Sequence, residues 1–249
     1  MDSNELVTFE IEQFKKGYAR KLRFDGLTTS NVDACMRHAL ADALKLGAKR
    51  FNSPYIKKLN SIITPFTGDF IDIAEGKTKI SSKADFKKVF NTFKTRFLST
   101  LTSDGLSALA QFGFAQKFIN MTFKYLYCFD DCERTNLQYC HLPLDQYTID
   151  WYKQYGDKSI VNRFKAIKFA WANIDETLYW DLQNDIDLIL SKGIDYPIDC
   201  VDKKQTVRLP FSKIQVEFIV WMQQRLNDIY NKSLSKVKPY YGRLGVKEI

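Results

Sequence analysis

Apolar side chains recur along most of this chain at the three- and four-residue spacing that is typical of amphipathic helices. This pattern predicts helices at 31–50, 85–101, 104–111, 115–128, 145–154, 158–172, 174–191 and 212–236. Strand-like alternation is weak, and it predicts short strands only at Val7–Ile11 and 205–209. The stretch 53–83 is the least helical, and no segment has the composition of a flexible linker. We therefore predict a mainly α fold in which residues 1–249 form a single helical domain.

A glycine interrupts the helical pattern near the middle of the chain. Residues 112–114, with Gly113 at their centre, are predicted to form a tight turn between the short helix at 104–111 and the helix that follows. Glycine permits backbone conformations that other residues avoid, and amides at a helix start can hold a phosphate. Residues from about 104 to 128 therefore have the pattern of a helical hairpin. Such a hairpin serves either as a clamp on a DNA backbone or as an ordinary connection between helices.

The helix after this turn carries Lys117, Met121 and Lys124 on one stripe and mainly apolar side chains on the other. Repulsion between the two lysines, the helix dipole and partial burial all favour a lowered pKa for the Lys117 amine. A lysine with a lowered pKa is a potential nucleophile. The ordinary interpretation of such a stripe is a solvated basic face, and contact with DNA phosphates is a second one.

A Pro-x-Asp element at 141–145 follows, and its Asp145 lies 28 residues after Lys117. Asp145 directly precedes a predicted helix, so its ordinary role is to cap the free amides there, which also fixes the carboxylate in place. An amine and a carboxylate together can break a glycosidic bond. The amine attacks the sugar carbon, and the carboxylate deprotonates the amine or stabilises the cationic transition state.

Composition narrows the classes of partner. The net charge is +8, with 37 Lys plus Arg against 29 Asp plus Glu. This surplus favours a polyanion such as nucleic acid, although it also serves solubility. No apolar run reaches the ~18 residues of a membrane helix, and the acidic N-terminus lacks a signal core. We therefore expect no membrane contact and an intracellular protein.

The 5 cysteines are an odd number in a long chain, which favours reduced thiols over a disulfide framework. Three of them, Cys128, Cys132 and Cys140, lie close to His141, and this set of ligands is one that zinc accepts. Their spacing matches no standard finger. Free thiols are therefore expected, with no metal and no other cofactor.

These motifs resemble the helix-hairpin-helix DNA glycosylase superfamily. The stretch 111–117 keeps the first glycine of the family hairpin, a small residue in place of the second, and the lysine. The archaeal 8-oxoguanine DNA glycosylase branch is more similar still. It shares Lys124 seven residues after Lys117, and an acid four residues before a tryptophan, here Glu217 and Trp221. The chain departs from that branch with Glu217 in place of an aspartate and a methionine where an aromatic residue is usual.

The resemblance implies a helix-hairpin-helix glycosylase-like fold, with two closely packed helical lobes and a cleft between them. It implies a base-excision repair glycosylase with AP lyase activity, which removes a purine such as 8-oxoguanine from damaged double-stranded DNA. The expected form is a cytoplasmic, nucleoid-associated monomer. The implied roles are catalysis by Lys117 and Asp145, base binding by Lys124, Met121, Glu217 and Trp221, and DNA-backbone contact by Gly113 and Ala115.

Other interpretations of the same residues stay open. Trp221 can be a core anchor, and Glu217 can belong to a solvated helix face. A non-catalytic helix-hairpin-helix DNA-binding protein would need Gly113 and the basic charge, but neither Lys117 nor Asp145. An all-helical protein-interaction domain would need none of these residues.

Overall fold

The structure, a computed structural model, describes residues 2–43, 61–200 and 203–243, and for 199–200, 203–205 and 230–243 it describes the backbone only. The described part is mainly helical, which confirms the predicted class. The helices are α1 (Ser3–Gly17), α2 (Thr29–Ala43), α3 (Thr67–Ala74), α4 (Lys83–Ser103), α5 (Phe112–Leu126), α6 (Gln146–Tyr155), α7 (Lys158–Ala166), α8 (Glu176–Lys192) and α9 (Lys213–Arg243). Strands β1 (Asp195–Cys200) and β2 (Lys203–Arg208) pair antiparallel, with Tyr196 opposite Val207.

Helix α5 lies at the centre of the fold. It packs along α2 and α4, while α9 packs along α1 and α6. Every residue from Ala115 to Leu126 is buried, including the polar ones. The helix therefore has no solvent-facing stripe, and its charged side chains need partners inside the protein.

Aromatic rings fill the space between α5 and its neighbours. The rings of Phe97 and Phe118 stack with their centroids 4.8 Å apart, and those of Phe70 and Phe93 stack at 4.4 Å. Phe123 meets Phe70 edge to face, with 5.3 Å between ring centroids. Such pairs add about 0.5–1.5 kcal/mol each beyond their area burial, so they fix α3, α4 and α5 relative to one another.

The predicted hairpin is wrong in its details. Helix α4 ends at Ser103, only Ser107–Leu109 of the predicted short helix forms a 3₁₀ turn, and residues 112–114 already belong to α5. The glycine with a left-handed backbone is Gly105, whose φ is +73°. Gly113 has another role, because a Cβ there would lie 2.3 Å from the carbonyl oxygen of Ala172. It permits close packing and does not make the turn.

Most other predicted helices are confirmed, with shifted ends. The helix predicted at 158–172 ends at Ala166, because Lys168 and Phe169 adopt positive φ values of 55° and 52°. The helix predicted at 31–50 appears as α2, and its predicted portion beyond Ala43 lies outside the described residues, as does 53–60.

Two predictions of low helicity are wrong. Residues 61–74 are helical, ending in α3. The strand predicted at Val7–Ile11 lies within α1, because Val7 and Ile11 are four residues apart and face the core on one helical stripe. An Asp2–Glu5 capping box starts that helix. By contrast, the strand predicted at 205–209 is confirmed as β2.

We expect Gly113→Ala to destabilise the fold by about 2 kcal/mol or more, because its Cβ meets backbone atoms that cannot rotate away. Gly68→Ala is the matched control, since nothing lies within 4 Å of its added Cβ in α3. Alanine there should stabilise by up to about 1 kcal/mol. Urea unfolding measures both variants, and equal stability of the two would contradict this account of Gly113.

Candidate functional site

Lys117 and Asp145 come together in the structure. Lys117 lies on α5, and Asp145 is the residue that caps α6. The Lys117 Nζ lies 3.7 Å from Asp145 Oδ2 and donates a hydrogen bond to the Leu144 carbonyl oxygen at 3.2 Å. Lys117 as a whole is only 5% exposed. It is thus held between a carboxylate and a backbone oxygen inside the protein.

The predicted capping role of Asp145 is confirmed. Its Oδ1 accepts hydrogen bonds from the backbone N–H groups of Tyr147 at 3.0 Å and Thr148 at 3.1 Å. The Thr148 hydroxyl accepts from the Asp145 N–H and donates to the Pro143 carbonyl oxygen. These bonds fix the segment before α6, so that Asp145 presents its second oxygen to Lys117.

The pKa of Lys117 is lowered, as predicted from the sequence. The main cause is burial, which disfavours the ammonium, and a smaller contribution comes from the charge of Lys124. The carboxylates of Asp145, Asp42 and Glu217 act in the opposite direction. The indole ring of Trp171 covers the amine, with 5.1 Å from Nζ to the ring centroid. The fraction of Lys117 in the nucleophilic free-amine form is therefore larger than that of an exposed lysine.

Lys124 and Glu217 form a second pair, and it is closed to solvent. Both side chains are 0% exposed, and the Lys124 Nζ lies 2.6 Å from Oε1 and 2.5 Å from Oε2 of Glu217. The ammonium also faces the rings of Phe14, Phe218 and Trp221 at 4.4, 5.2 and 4.6 Å from their centroids. Burial raises the pKa of Glu217 to about 7, against the opposing effect of Lys124.

The interpretation of the α5 lysine stripe and of Glu217 as solvated helix faces is therefore wrong. Neither the lysine stripe of α5 nor Glu217 on α9 reaches solvent, because α2 and α9 cover those sides. Met121, Lys124 and Glu217 were predicted to contact a base, and all three lie inside the protein and off the wall of the nearest pocket. Trp221, also predicted to contact a base, lies on that wall.

The pocket beside Asp145 has a volume of about 750 Å³. Two rings flank Trp221: the centroid of Tyr18 is 5.0 Å away and that of Tyr147 is 5.7 Å away, both edge to face. The volume is in the range of small-molecule sites, about 300–1,000 Å³. The wall consists of Tyr18, Asp145, Gln146, Tyr147, Asp150, Trp221, Gln224, Arg225, Asn227 and Asp228.

Several residues of the site were missed from the sequence. Asp42 accepts hydrogen bonds from the hydroxyls of Tyr18 at 2.6 Å and Tyr125 at 2.7 Å, which links α2 to the pocket wall. No local motif signals this aspartate. Arg225 had a usable signal, because it lies one helical turn after Trp221 and shares its face.

Gly113 and Ala115 are not exposed for the predicted contact with a DNA backbone. The Trp171–Asn173 turn packs directly on the start of α5, and its carbonyl oxygens occupy the space beside Gly113. Ala115 is fully buried. A phosphate would have to displace that turn to reach these amides.

The cysteine-rich segment holds buried thiols. Cys128, Cys132 and Cys140 are free, and burial raises the pKa of Cys128 and of Cys132 to about 12. The His141 Nδ1 is 2.7 Å from the Tyr179 hydroxyl. Within the described ranges, no group of three or more His, Cys, Asp or Glu side chains is arranged to hold a metal ion.

No protein-family model, curated protein or solved structure matches this chain. The resemblance to the glycosylase superfamily therefore depends on the motifs alone. Of the helices in the described ranges, none is long and apolar enough to cross a membrane.

We expect Lys124→Met to destabilise the protein by about 3–5 kcal/mol at pH 8, because Glu217 would be left as an unpaired buried charge. The folded-state pKa of Glu217 is already raised, so ionising it costs stability as pH rises from about 4.5 to 7. Removing Lys124 raises that pKa further. At pH 5 the carboxyl is then neutral, and the loss should be smaller.

Urea unfolding at both pH values measures this difference. The double variant Lys124→Met/Glu217→Leu is the matched control, because it replaces the pair by apolar groups and should recover most of the lost stability. An equal loss at pH 5 and pH 8, with no recovery in the double variant, would show that the pair is not held by charge.

Proposed function

We propose that this protein is a base-excision DNA glycosylase with AP lyase activity, which removes a damaged or modified purine such as 8-oxoguanine through a Schiff base on Lys117. The observation that carries the proposal is the buried Lys117 amine, with its lowered pKa, 3.7 Å from Asp145 on the wall of an aromatic pocket. The amine and the carboxylate are the two groups that this chemistry requires.

The reaction begins with the neutral Lys117 amine. Its lone pair attacks C1′ of the sugar, and the C1′–N9 bond breaks with its electron pair leaving on the base, which is protonated. Opening of the C1′–O4′ bond then gives an iminium between C1′ and Nζ. Loss of a 2′ proton breaks the C3′–O3′ bond and nicks the strand. Asp145 either takes the proton of the attacking amine or stabilises the cationic charge at C1′.

The pocket is suited to a base taken out of the duplex. Unstacking costs a few kcal/mol, and stacking on aromatic side chains returns about 1–3 kcal/mol per base. Tyr18, Tyr147 and Trp221 supply the rings. A nucleotide whose base enters here brings its sugar against Asp145 and therefore next to the amine. We assign Lys124 and Glu217 to holding Trp221 from inside, since the Lys124 Nζ is 4.6 Å from its ring.

The proposal also includes the coarser features implied by the family resemblance. The helices would form two lobes with the pocket in the cleft between them, and a monomer would act on chromosomal DNA in the cytoplasm. The second candidate, a non-catalytic DNA-binding protein, is favoured by the net charge of +8. It requires no reactive amine, so a covalent assay separates the two.

The first experiment is borohydride trapping on a duplex that contains 8-oxoguanine. We expect the parent protein to form a covalent adduct, and Lys117→Gln to form none while it binds the duplex within about twofold of the parent. Lys213→Gln is the matched control, because Lys213 is also buried, with its pKa lowered by burial to about 8, but lies outside the pocket. It should keep the adduct.

Thermal melting shows whether each variant is folded. If the folded Lys117→Gln variant still forms the covalent adduct, Lys117 is not the nucleophile. If the parent binds DNA but forms no adduct across a panel of damaged and modified bases, the protein is a binding module.

The role of Asp145 is tested by Asp145→Asn. Asparagine caps a helix as well as aspartate does, so the start of α6 should persist, and any loss of stability should come from the buried Lys117 amine, which loses its carboxylate partner. The loss of the negative charge should slow single-turnover excision by about 10²–10³-fold. It should also lower the pKa of Lys117 further, because Asp145 now raises it. An unchanged rate in the folded variant would restrict Asp145 to capping.

A further inference from the structure

The end of α1 and the start of its connection to α2 are strongly basic. Residues 15–23 read Lys-Lys-Gly-Tyr-Ala-Arg-Lys-Leu-Arg, with five cations in nine positions. Lys15 and Lys16 lie near Glu12, with nitrogen–oxygen distances of 3.1 and 4.0 Å. Arg20, Lys21 and Arg23 are exposed, and their side chains make no hydrogen bond or ion pair with other described residues. Three unpaired cations thus lie within four positions.

The same segment forms part of the pocket. Tyr18 lies on the pocket wall, its ring centroid is 5.0 Å from that of Trp221, and its hydroxyl is anchored on Asp42. Ala19 is buried and Leu22 is half-buried, so the apolar residues face inward while the cations face solvent. The three exposed cations therefore follow Tyr18, a residue of the pocket wall, by two to five positions along the chain.

Arg225 is a further cation, and it lies on the pocket wall itself. Its guanidinium carbon lies 5.1 Å from the Tyr18 ring centroid and 4.9 Å from that of Trp221. It makes no hydrogen bond or ion pair to any described residue, although three carboxylates line the same pocket.

Each of these carboxylates has a partner. Asp145 is near Lys117, Asp150 is 2.7 Å from the Lys153 Nζ, and Asp228 accepts from the Tyr147 hydroxyl at 3.3 Å. Asp145 and Asp150 thus have cationic partners and Asp228 has a hydroxyl partner, whereas the donors of Arg225 remain available to a ligand.

We propose that Arg20, Lys21, Arg23 and Arg225, together called the basic rim, bind the phosphates of the DNA strand on either side of the nucleotide held in the pocket. The choice of DNA as partner rests on the proposed function. The planar donors of arginine match phosphate oxygens, and Arg225 remains stacked on its rings while it donates. The rim therefore takes the role of the backbone clamp that the buried Gly113 and Ala115 do not expose.

The test compares two triple variants with the same change of charge. Arg20→Ala/Lys21→Ala/Arg23→Ala removes the exposed part of the rim. Lys158→Ala/Lys165→Ala/Lys192→Ala removes three exposed lysines that lie off the pocket wall. Fluorescence anisotropy measures the affinity of each for an undamaged duplex across a series of salt concentrations.

We expect the rim variant to bind more weakly at low salt and its salt slope to fall by about 2.7, because each phosphate contact contributes about 0.9. The control should keep the slope of the parent to within about 0.5. Arg225→Ala should lose about 0.9 of the slope on a duplex with a flipped-out base analogue. At saturating protein, the rim variant should still form the Lys117 adduct.

The outcomes separate the two proposals. Equal losses in the rim and control variants, or no salt-dependent DNA binding by the parent, would overturn the rim whatever the adduct assay shows. A rim effect without any adduct from the parent would leave the rim in place and remove the glycosylase. Tighter, rim-dependent binding to RNA of the same sequence would overturn DNA as the partner.

Discussion

The burial of two lysine amines in one helix is the constraint on which the rest of the structure depends. Helix α5 is covered on every side from Ala115 to Leu126, so Lys124 is fully buried and Lys117 is only 5% exposed. An unpaired buried charge costs several kcal/mol, and each amine therefore needs an acid supplied by another part of the chain. Glu217 comes from α9 and Asp145 from the start of α6. Pairing these acids with α5 fixes the positions of both helices around it.

The two lysine–carboxylate pairs differ in their geometry and in their proximity to the pocket. In the Lys124–Glu217 pair both oxygens face the ammonium at 2.5–2.6 Å, and the aromatic rings around it exclude water. In the Lys117–Asp145 pair the distance from Nζ to Oδ2 is 3.7 Å, and the other carboxylate oxygen of Asp145 accepts hydrogen bonds from the amides of α6. Burial therefore lowers the pKa of Lys117 by more than the nearby carboxylates raise it. Asp145 of this pair lies on the wall of the pocket described above.

Much of this arrangement follows from local sequence. Helical spacing predicts α4, α5 and α9, and the position of Asp145 before an amphipathic stretch predicts its cap. These features depend on neighbours a few residues away. The turn at Gly113 was predicted wrongly because a glycine that permits close packing has the same local pattern as a glycine that makes a turn.

Long-range features had weaker signals. The lysine stripe of α5 has the pattern of a solvated face, and its burial becomes visible only when α2 packs along it and Glu217 of α9 pairs with Lys124. The contacts of Asp42 with two tyrosines, 24 and 83 residues away, have no local trace. The basic run at 15–23 was present in the sequence, but its position at a pocket depends on how Tyr18 meets Trp221.

The complete burial of α5 also bears on how this protein can diverge. A helix with a solvent face accepts neutral substitutions along that face, whereas one surrounded by packed rings and paired charges accepts few at any position. Changes at Lys124 must be matched at Glu217, and changes at Gly113 must be matched in the turn that covers it. Among homologues of this protein, residues 112–126 should therefore diverge most slowly in sequence. This segment should be the last in which homology can still be detected.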